Sequence, residues 1–217
     1  MGLERAKVVS DSNQEIEAKF FVTDLGKIET RLQKLGAVLL HPSILERNIR
    51  FDLPDGSLRS ERRVLRLRRD TEVRLTYKDP SQNEDGVLSR REIEFIVEDF
   101  DKVKQFLEAL GYQPIFYYEK YRTVYGLQTS KVSVNVMLDE LPYGNFVEIE
   151  GETSESIQAA SNALDLKWDT AIGKSYNALF ERLCATRPNL DPTHLTFAAL
   201  NGLNIRAEEL FVRAADS

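Results

Sequence analysis

The feature that most constrains this chain is a period-two alternation in which the polar positions are almost all Glu, Arg or Lys. Glu15, Glu17 and Lys19 alternate with Ile16, Ala18 and Phe20. Arg66 and Arg68 alternate with Leu65 and Leu67, while Arg74, Thr76 and Lys78 share one face of the next segment. Arg90, Glu92 and Glu94 oppose Ile93 and Phe95; Lys120 and Arg122 share a face; Glu148 and Glu150 oppose Val147 and Ile149. Alternation of this kind marks β-strands with one face buried. For any single pair the bland reading is a solvated outer face, whose cross-strand ion pairs contribute roughly 0.2–1 kcal/mol each. The set says more, because the apolar faces need cover and three amphipathic helices are available to give it. With helices outside, the charged faces turn toward one another and the sheet closes into a barrel with a polar interior.

The helices are readable from caps and stops. Asp24 caps a helix over 25–35 whose stripe is Ile28, Leu32 and Leu35, ended by Gly36. Asp99 or Asp101 caps a second with Val103, Phe106, Leu107 and Leu110, ended by Gly111. Ser154 or Ser156 opens a third through Leu164, and a shorter one spans 173–183. Strands are expected over 44–53, 64–69, 72–78, 88–97, 119–127, 131–141 and 145–152, with a turn at 54–56 and a turn-rich loop at 79–86. Two strand–helix passages, starting at Glu15 and at Arg91, resemble each other weakly and suggest a pseudo-symmetric sheet. The order gives an α+β chain: a loose tail over 1–12, a barrel domain over 13–183, and an extension over 184–217. That extension reads as two short helical stretches, 195–200 and 207–214, with no visible chemistry.

A charged interior cannot stay dry and unpaired, since a lone buried charge costs several kcal/mol or more. It must hold water, ions and a charged ligand. The basic groups suit phosphate oxygens, arginine in bidentate fashion. The carboxylates repel phosphate unless a divalent cation lies between them, and oxygen ligands without His or Cys select Mg²⁺ or Mn²⁺. Polyanion, metal and barrel together mean phosphoryl chemistry.

Composition excludes several alternatives. A formal charge of −6 argues against a duplex nucleic-acid binder. No apolar run approaches the ~18 residues of a membrane span, and the first residues have no secretory apolar stretch, so the cytoplasm is expected. Cys184 is the single cysteine, which rules out an internal disulfide and a multi-cysteine metal site. His41 and His194 lie at no ligand spacing, Asp52 and Asp55 read as turn residues, and Trp168, Tyr117, Tyr118, Phe197 and Leu200 read as packing.

The motif EIEAK at 15–19 resembles the ExExK signature of the CYTH superfamily, the triphosphate tunnel metalloenzymes. RFD, VLRLR, LTYKDP, RREIE, EKYR, MLDELPYGNFVEIEG and GKSY follow in family order, so the resemblance covers about 13–183. It implies an eight-stranded antiparallel tunnel with helices packed outside. The family includes class IV adenylate cyclases, thiamine triphosphatases and inorganic triphosphatases. Carried over, it implies metal ligation by Glu15, Glu17, Glu148 and Glu150, with Glu94 and Asp139 as helpers. Lys19, Arg66, Arg68, Lys78, Arg90, Lys120 and Arg122 become the triphosphate cradle, beside Glu92. Lys19, Glu17, Glu94, Lys174 and Tyr176 become the catalytic group, with Lys174, Ser175 and Tyr176 on a helix that closes one mouth. One departure stands out: where relatives often carry an aromatic before the Phe–Asp pair, this chain has Arg50, beside Arg47.

The expected activity is metal-dependent hydrolysis of tripolyphosphate, ATP or thiamine triphosphate. The alternatives are a class IV adenylate cyclase that makes cyclic AMP and pyrophosphate, and a non-catalytic polyphosphate- or nucleotide-binding module. The last thirty residues are expected either to lid a tunnel mouth or to make a homodimer contact.

Overall fold

The computed structural model describes residues 14–129 and 132–217, so the N-terminal tail expected above lies outside the described residues. The alternating segment at Glu15 becomes β1 (Gln14–Val22). Asp24 then accepts a hydrogen bond from the Lys27 amide and starts α1 (Leu25–Lys34), and Gly36 ends it at φ 77°, a left-handed conformation that favours glycine. β2 (Val38–Asp52) begins earlier than its alternation suggested, because register shifts on either side of His41 let the strand carry Pro42, which has no N–H to give. The short α2 (Ser57–Ser60) is held by Asp52, whose buried carboxylate accepts from the amides of Leu53, Leu58 and Arg59.

β3 (Val64–Arg69) and β4 (Val73–Lys78) follow as expected. The loop over 79–86 hides a strand, β5 (Gln82–Glu84), joined to β6 (Val87–Val97) by Asp85 and Gly86, both at positive φ. That pair is the Asp–Gly signal of a two-residue hairpin. Asp99, rather than Asp101, caps α3 (Phe100–Ala109). β7 (Gln113–Gln128), β8 (Ser133–Leu141) and β9 (Gly144–Gly151) complete the long strands. α4 (Ser154–Ala163) is capped by Thr153 and not by either expected serine, and α5 (Tyr176–Thr186) by Ser175.

Neighbouring strands run β1-β9-β8-β7-β2-β3-β4-β6, and β6 pairs back to β1, which closes an eight-stranded antiparallel barrel. Exchanging β1–β4 for β6–β9 leaves the ring unchanged, so the two strand–helix passages do occupy equivalent places. The apolar faces point outward. Phe20, Val136, Val147 and Ile149 pack under α1 and α4, and Leu65 and Leu67 pack with Leu107 of α3, whereas Phe116, Leu141 and Phe146 share the inner strand faces of Lys120, Asp139 and Glu148 and are covered by α5 at one end of the barrel. Cover is incomplete on β6, where Ile93 and Phe95 are 41% and 52% exposed. α3 lies toward β3 instead, and its own Phe106 and Leu110 face solvent.

The extension is not a pair of helices. β10 (His194–Leu195) pairs in parallel with β7, and residues 207–210 form a single 3-10 turn ended by Phe211 at φ 55°. Leu195, Leu200 and Leu210 are buried in the α5 cluster, and contact with that cluster places them rather than helical periodicity. The end of the chain reaches β1: Ala214 bridges Phe21, and Asp216 accepts from the Thr23 and Asp24 amides. No helix among the described residues is long and apolar enough to cross a membrane.

Candidate active site

Because successive strand residues point to opposite faces, apolar cover outside forces the alternate charged residues inside. They line a cavity of ≈ 1050 Å³ that runs through the barrel. Its wall includes Glu15, Glu17, Lys19, Arg66, Arg68, Lys78, Arg90, Glu92, Glu94, Lys120, Arg122, Glu148 and Glu150. Asp139, on the same strand face as the cavity-lining Met137, is fully buried beneath Tyr176. With the exception of Lys174, the sequence-predicted site residues are thus gathered into one place.

The cations are held by carboxylates. Lys19 Nζ lies 2.9 Å from Glu148, its cross-strand partner. Arg122 donates to both oxygens of Asp139, at 2.6 and 2.5 Å, and also reaches Glu148. Lys120 lies 2.9 Å from Asp139 and 3.6 Å from Glu46. Arg68 bridges Glu46 at 3.3 Å and Glu94 at 3.5 Å, and Arg66 reaches Glu94 at 3.5 Å. On the other wall, Lys78 pairs with Glu92 and lies 3.3 Å from Glu15, and Arg90 lies 2.8 Å from Glu92. Glu94 also accepts a 2.7 Å hydrogen bond from Thr76.

These environments separate the carboxylates into two classes. Burial alone would raise Glu148, Glu46 and Glu94, but their cationic neighbours outweigh it. Lys19 and Arg122 hold Glu148 well below the usual range, and Lys120, Arg122 and Arg68 bring Glu46 to about 2. Glu150 moves the other way: burial and the charges of Glu15 and Glu17 raise it to about 7. Burial also raises Glu15, against the pull of Lys78.

Glu150 and Glu17 are direct cross-strand partners, an arrangement of like charges that is unfavourable on its own. Among the described residues, no three Asp, Glu, His or Cys side chains already converge to hold a metal ion. The donor set of Glu15, Glu17 and Glu150 nevertheless fits a hard divalent cation, being all oxygen and mutually repelling, with Lys78 and Arg90 beside it.

Tyr176, at the first turn of α5, donates a 2.8 Å hydrogen bond to Asp139, and its ring lies 4.4 Å from Lys19 Nζ. Burial and the charges of Asp139 and Glu148 keep its hydroxyl protonated far above the ordinary tyrosine range. Lys174 is placed elsewhere. It is exposed on a separate surface cleft with Arg182 and Arg213, because the chain turns into α5 only after it.

Glu46, Asn48 and Arg50 of β2 were not among the expected site residues, yet Glu46 and Arg50 line the cavity and Asn48 is buried between strands. Their signal was present as a shared period-two face, obscured because Arg47 puts a charge on the opposite face as well. Both polar atoms of the Asn48 amide are buried without a protein partner.

The comparisons agree with this geometry. The chain is 29% identical over 172 residues to a provisionally named adenylate cyclase of Methanocaldococcus jannaschii, covering 75% of this chain and 95% of that protein. Its fold matches a provisionally named adenylate cyclase of Vibrio parahaemolyticus with a TM-score of 0.67 at 19% identity, covering 76% of this chain and 97% of the other. It also matches an adenylyl cyclase candidate from Hippeastrum, reported with a dominant triphosphatase activity, with a TM-score of 0.57 at 18% identity over 77% and 95% of the two chains. The CYTH domain model matches residues 13–183, most of the chain. This protein belongs to the CYTH domain family.

Proposed function

We propose that the tunnel is the active site of a triphosphatase that uses Mg²⁺ or Mn²⁺ and hydrolyses the triphosphate moiety of an inorganic or organic substrate. The observation that carries this reading is the carboxylate cluster of Glu15, Glu17 and Glu150, which raises Glu150 even with Lys78 and Arg90 beside Glu15, set in a wall of cations. A pure anion binder gains affinity by losing those carboxylates, so their presence favours an enzyme over a binding module.

In this mechanism Lys19, Arg66, Arg68, Lys78, Arg90, Lys120 and Arg122 exchange carboxylate partners for phosphate oxygens. Glu46 on the cavity wall and Asp139 beneath Tyr176 keep Lys120, Arg122 and Arg68 in place. Tyr176 stays a neutral donor that fixes Asp139 and lies against Lys19, a positioning role and not a proton transfer. Glu15, Glu17 and Glu150, with Glu148 and Glu94 nearby, would hold a divalent cation, which would supply charge neutralisation and lower the pKa of the attacking water. Water attacks the terminal phosphorus, the bond to its bridging oxygen breaks, and inorganic phosphate leaves.

The second reading is cyclisation of ATP by its 3′-hydroxyl, favoured by the name of the archaeal relative. The cyclase-named Hippeastrum relative with dominant triphosphatase activity supports placing hydrolysis first. A product assay with Mg²⁺ or Mn²⁺ decides, offering ATP, thiamine triphosphate and tripolyphosphate in parallel. Inorganic phosphate without cyclic AMP is expected; cyclic AMP and pyrophosphate from ATP overturn the hydrolase reading. Unchanged rates in Glu148→Gln for both reactions would sink the enzymatic readings together.

A further inference from the structure

Outside the barrel, the separate cleft that holds Lys174 measures ≈ 250 Å³. Residues 169–174 form its floor, Arg182 of α5 one wall and residues 211–213 of the extension the other. Its lining includes three cations, Lys174, Arg182 and Arg213, and one carboxylate, Asp169, in a chain whose formal charge is −6. Asp169 lies 3.1 Å from Arg213, an ion pair open to solvent that contributes little and leaves Arg213 able to change partner. Arg182 donates to the Leu210 carbonyl at 3.2 Å and, among the described residues, has no ion pair. Lys174, exposed, has neither an ion pair nor a hydrogen bond among the described residues. The cleft therefore carries uncompensated positive charge.

One wall is strained. Phe211 sits at φ 55°, in the left-handed region where a bulky side chain is a genuine outlier, yet its ring is 67% exposed, so burial does not offset the strain. Its neighbours hold it there. Leu210 is fully buried against α5, Val212 packs on the same cluster, and the Phe211 and Val212 amides donate to the Glu208 and Ala207 carbonyls. The ring is thereby fixed at the cleft, with the Arg182 guanidinium 5.5 Å from its centre. The floor is fixed as well. The Ile172 amide donates to the Lys19 carbonyl at 2.8 Å, and a Cβ on Gly173 would lie 1.9 Å from the Asn83 amide nitrogen.

A rigid cleft with spare cations beside an exposed ring fits one ligand chemistry. A phosphate group answers Lys174 and Arg213, and a flat ring attached to it stacks on Phe211 or on the Arg182 guanidinium. At ≈ 250 Å³ the cleft is smaller than the roughly 300 Å³ at which pockets for drug-sized ligands begin, which suits one ring with one phosphate. We infer that this cleft is a second ligand site, for a nucleoside monophosphate, separate from the tunnel. Phe211, Val212 and Arg213 lie beyond the stretch 13–183 that matches the family, so the extension of this chain completes the cleft. Binding there is independent of which reaction the tunnel performs.

The test is calorimetric titration of the full chain, in EDTA and low salt, with AMP, ribose 5-phosphate, inorganic phosphate and adenosine, repeated on Arg213→Gln and Phe211→Gly. A charge-assisted contact is worth on the order of 10-fold in affinity, so Arg213→Gln is expected to weaken AMP and ribose 5-phosphate alike by that factor. Stacking of a base on an aromatic ring is worth on the order of 5-fold or more, so Phe211→Gly should weaken AMP by that much and leave ribose 5-phosphate within about 2-fold. Phe211→Gly should also melt at or above the wild-type midpoint, since glycine takes a positive φ without strain. A lower midpoint makes the ring a structural element and overturns its role as a platform. AMP binding that ignores both substitutions places AMP in the tunnel and overturns the cleft site. Adenosine binding as tightly as AMP overturns the anion role. Inorganic phosphate binding as tightly as AMP, with Phe211→Gly indifferent, overturns the nucleotide class in favour of a bare phosphate site. Absence of any AMP binding to the wild type refutes the site outright.

Discussion

Glu46 sits at 3% exposure with Arg68, Lys120 and Arg122 around it, so its carboxylate does more to hold the empty tunnel together than its anonymous place in the sequence suggests. Removing one member of a buried ionic cluster leaves its partners uncompensated, at a cost of about 3–5 kcal/mol. Glu46→Gln should therefore lower the thermal midpoint by roughly 6–20 °C at neutral pH, and added tripolyphosphate should restore part of it. The sign with pH follows from its folded pKa of about 2, below the ordinary 4.5. Its contribution is complete above 4.5 and lost as pH falls toward 2, so the gap between wild type and variant should close over that window in calorimetry. Glu150 has the opposite sign. Its folded pKa of about 7 means the native protein takes up a proton between pH 4.5 and 7, so its burial beside Glu15 and Glu17 weakens the fold as pH rises through that range. In EDTA at pH 8, Glu150→Gln should melt roughly 2–5 °C higher than wild type; an unchanged or lower midpoint would contradict the assigned repulsion.

At the scale of elements, the sequence disclosed what alternation and caps can disclose. The strands at Glu15, Val64, Val73, Leu88 and Val147 alternate cleanly, and Asp24 and Asp99 begin helices. It failed where tertiary contact decides. β2 and β7 pair with each other over most of their length, and their early halves, with Pro42 and Pro114, carry no clean alternation. The segment with Asp85 and Gly86 was read only as a turn-rich loop, because strand β5 is three residues long and wholly exposed and no apolar pattern announced it. The extension misled because Phe197 and Leu200 stand three residues apart as on a helix, while Leu195, Leu200 and Leu210 are placed by the core they fill. Leu210 is fully buried against α5, the element that carries Tyr176. Leu210→Ala should cost about 2–5 kcal/mol and lower the midpoint by roughly 5–15 °C, measured by circular dichroism.

At the scale of the molecule, the charge-lined interior could be inferred from the sequence because helices outside leave charged faces nowhere else to go. The pairing of each base with a specific acid could not, since register between distant strands sets it: Lys19 meets Glu148 only because β1 and β9 are neighbours in that alignment. A substrate that binds this interior by charge should lose affinity in salt, and KM for tripolyphosphate should rise steadily between about 50 and 500 mM KCl.

The acids that grip the bases of the unliganded tunnel also make it a device for exchange. On the proposed function, a phosphate oxygen that takes Lys19, Arg122 or Lys78 must displace Glu148 or Glu15, and each displaced carboxylate is left seeking a positive charge. A divalent ion answers that need, while on its own it must compete with lysine and arginine for the same oxygens. Polyanion and metal therefore each remove the other's competitor, and by linkage the tightening is equal in both directions.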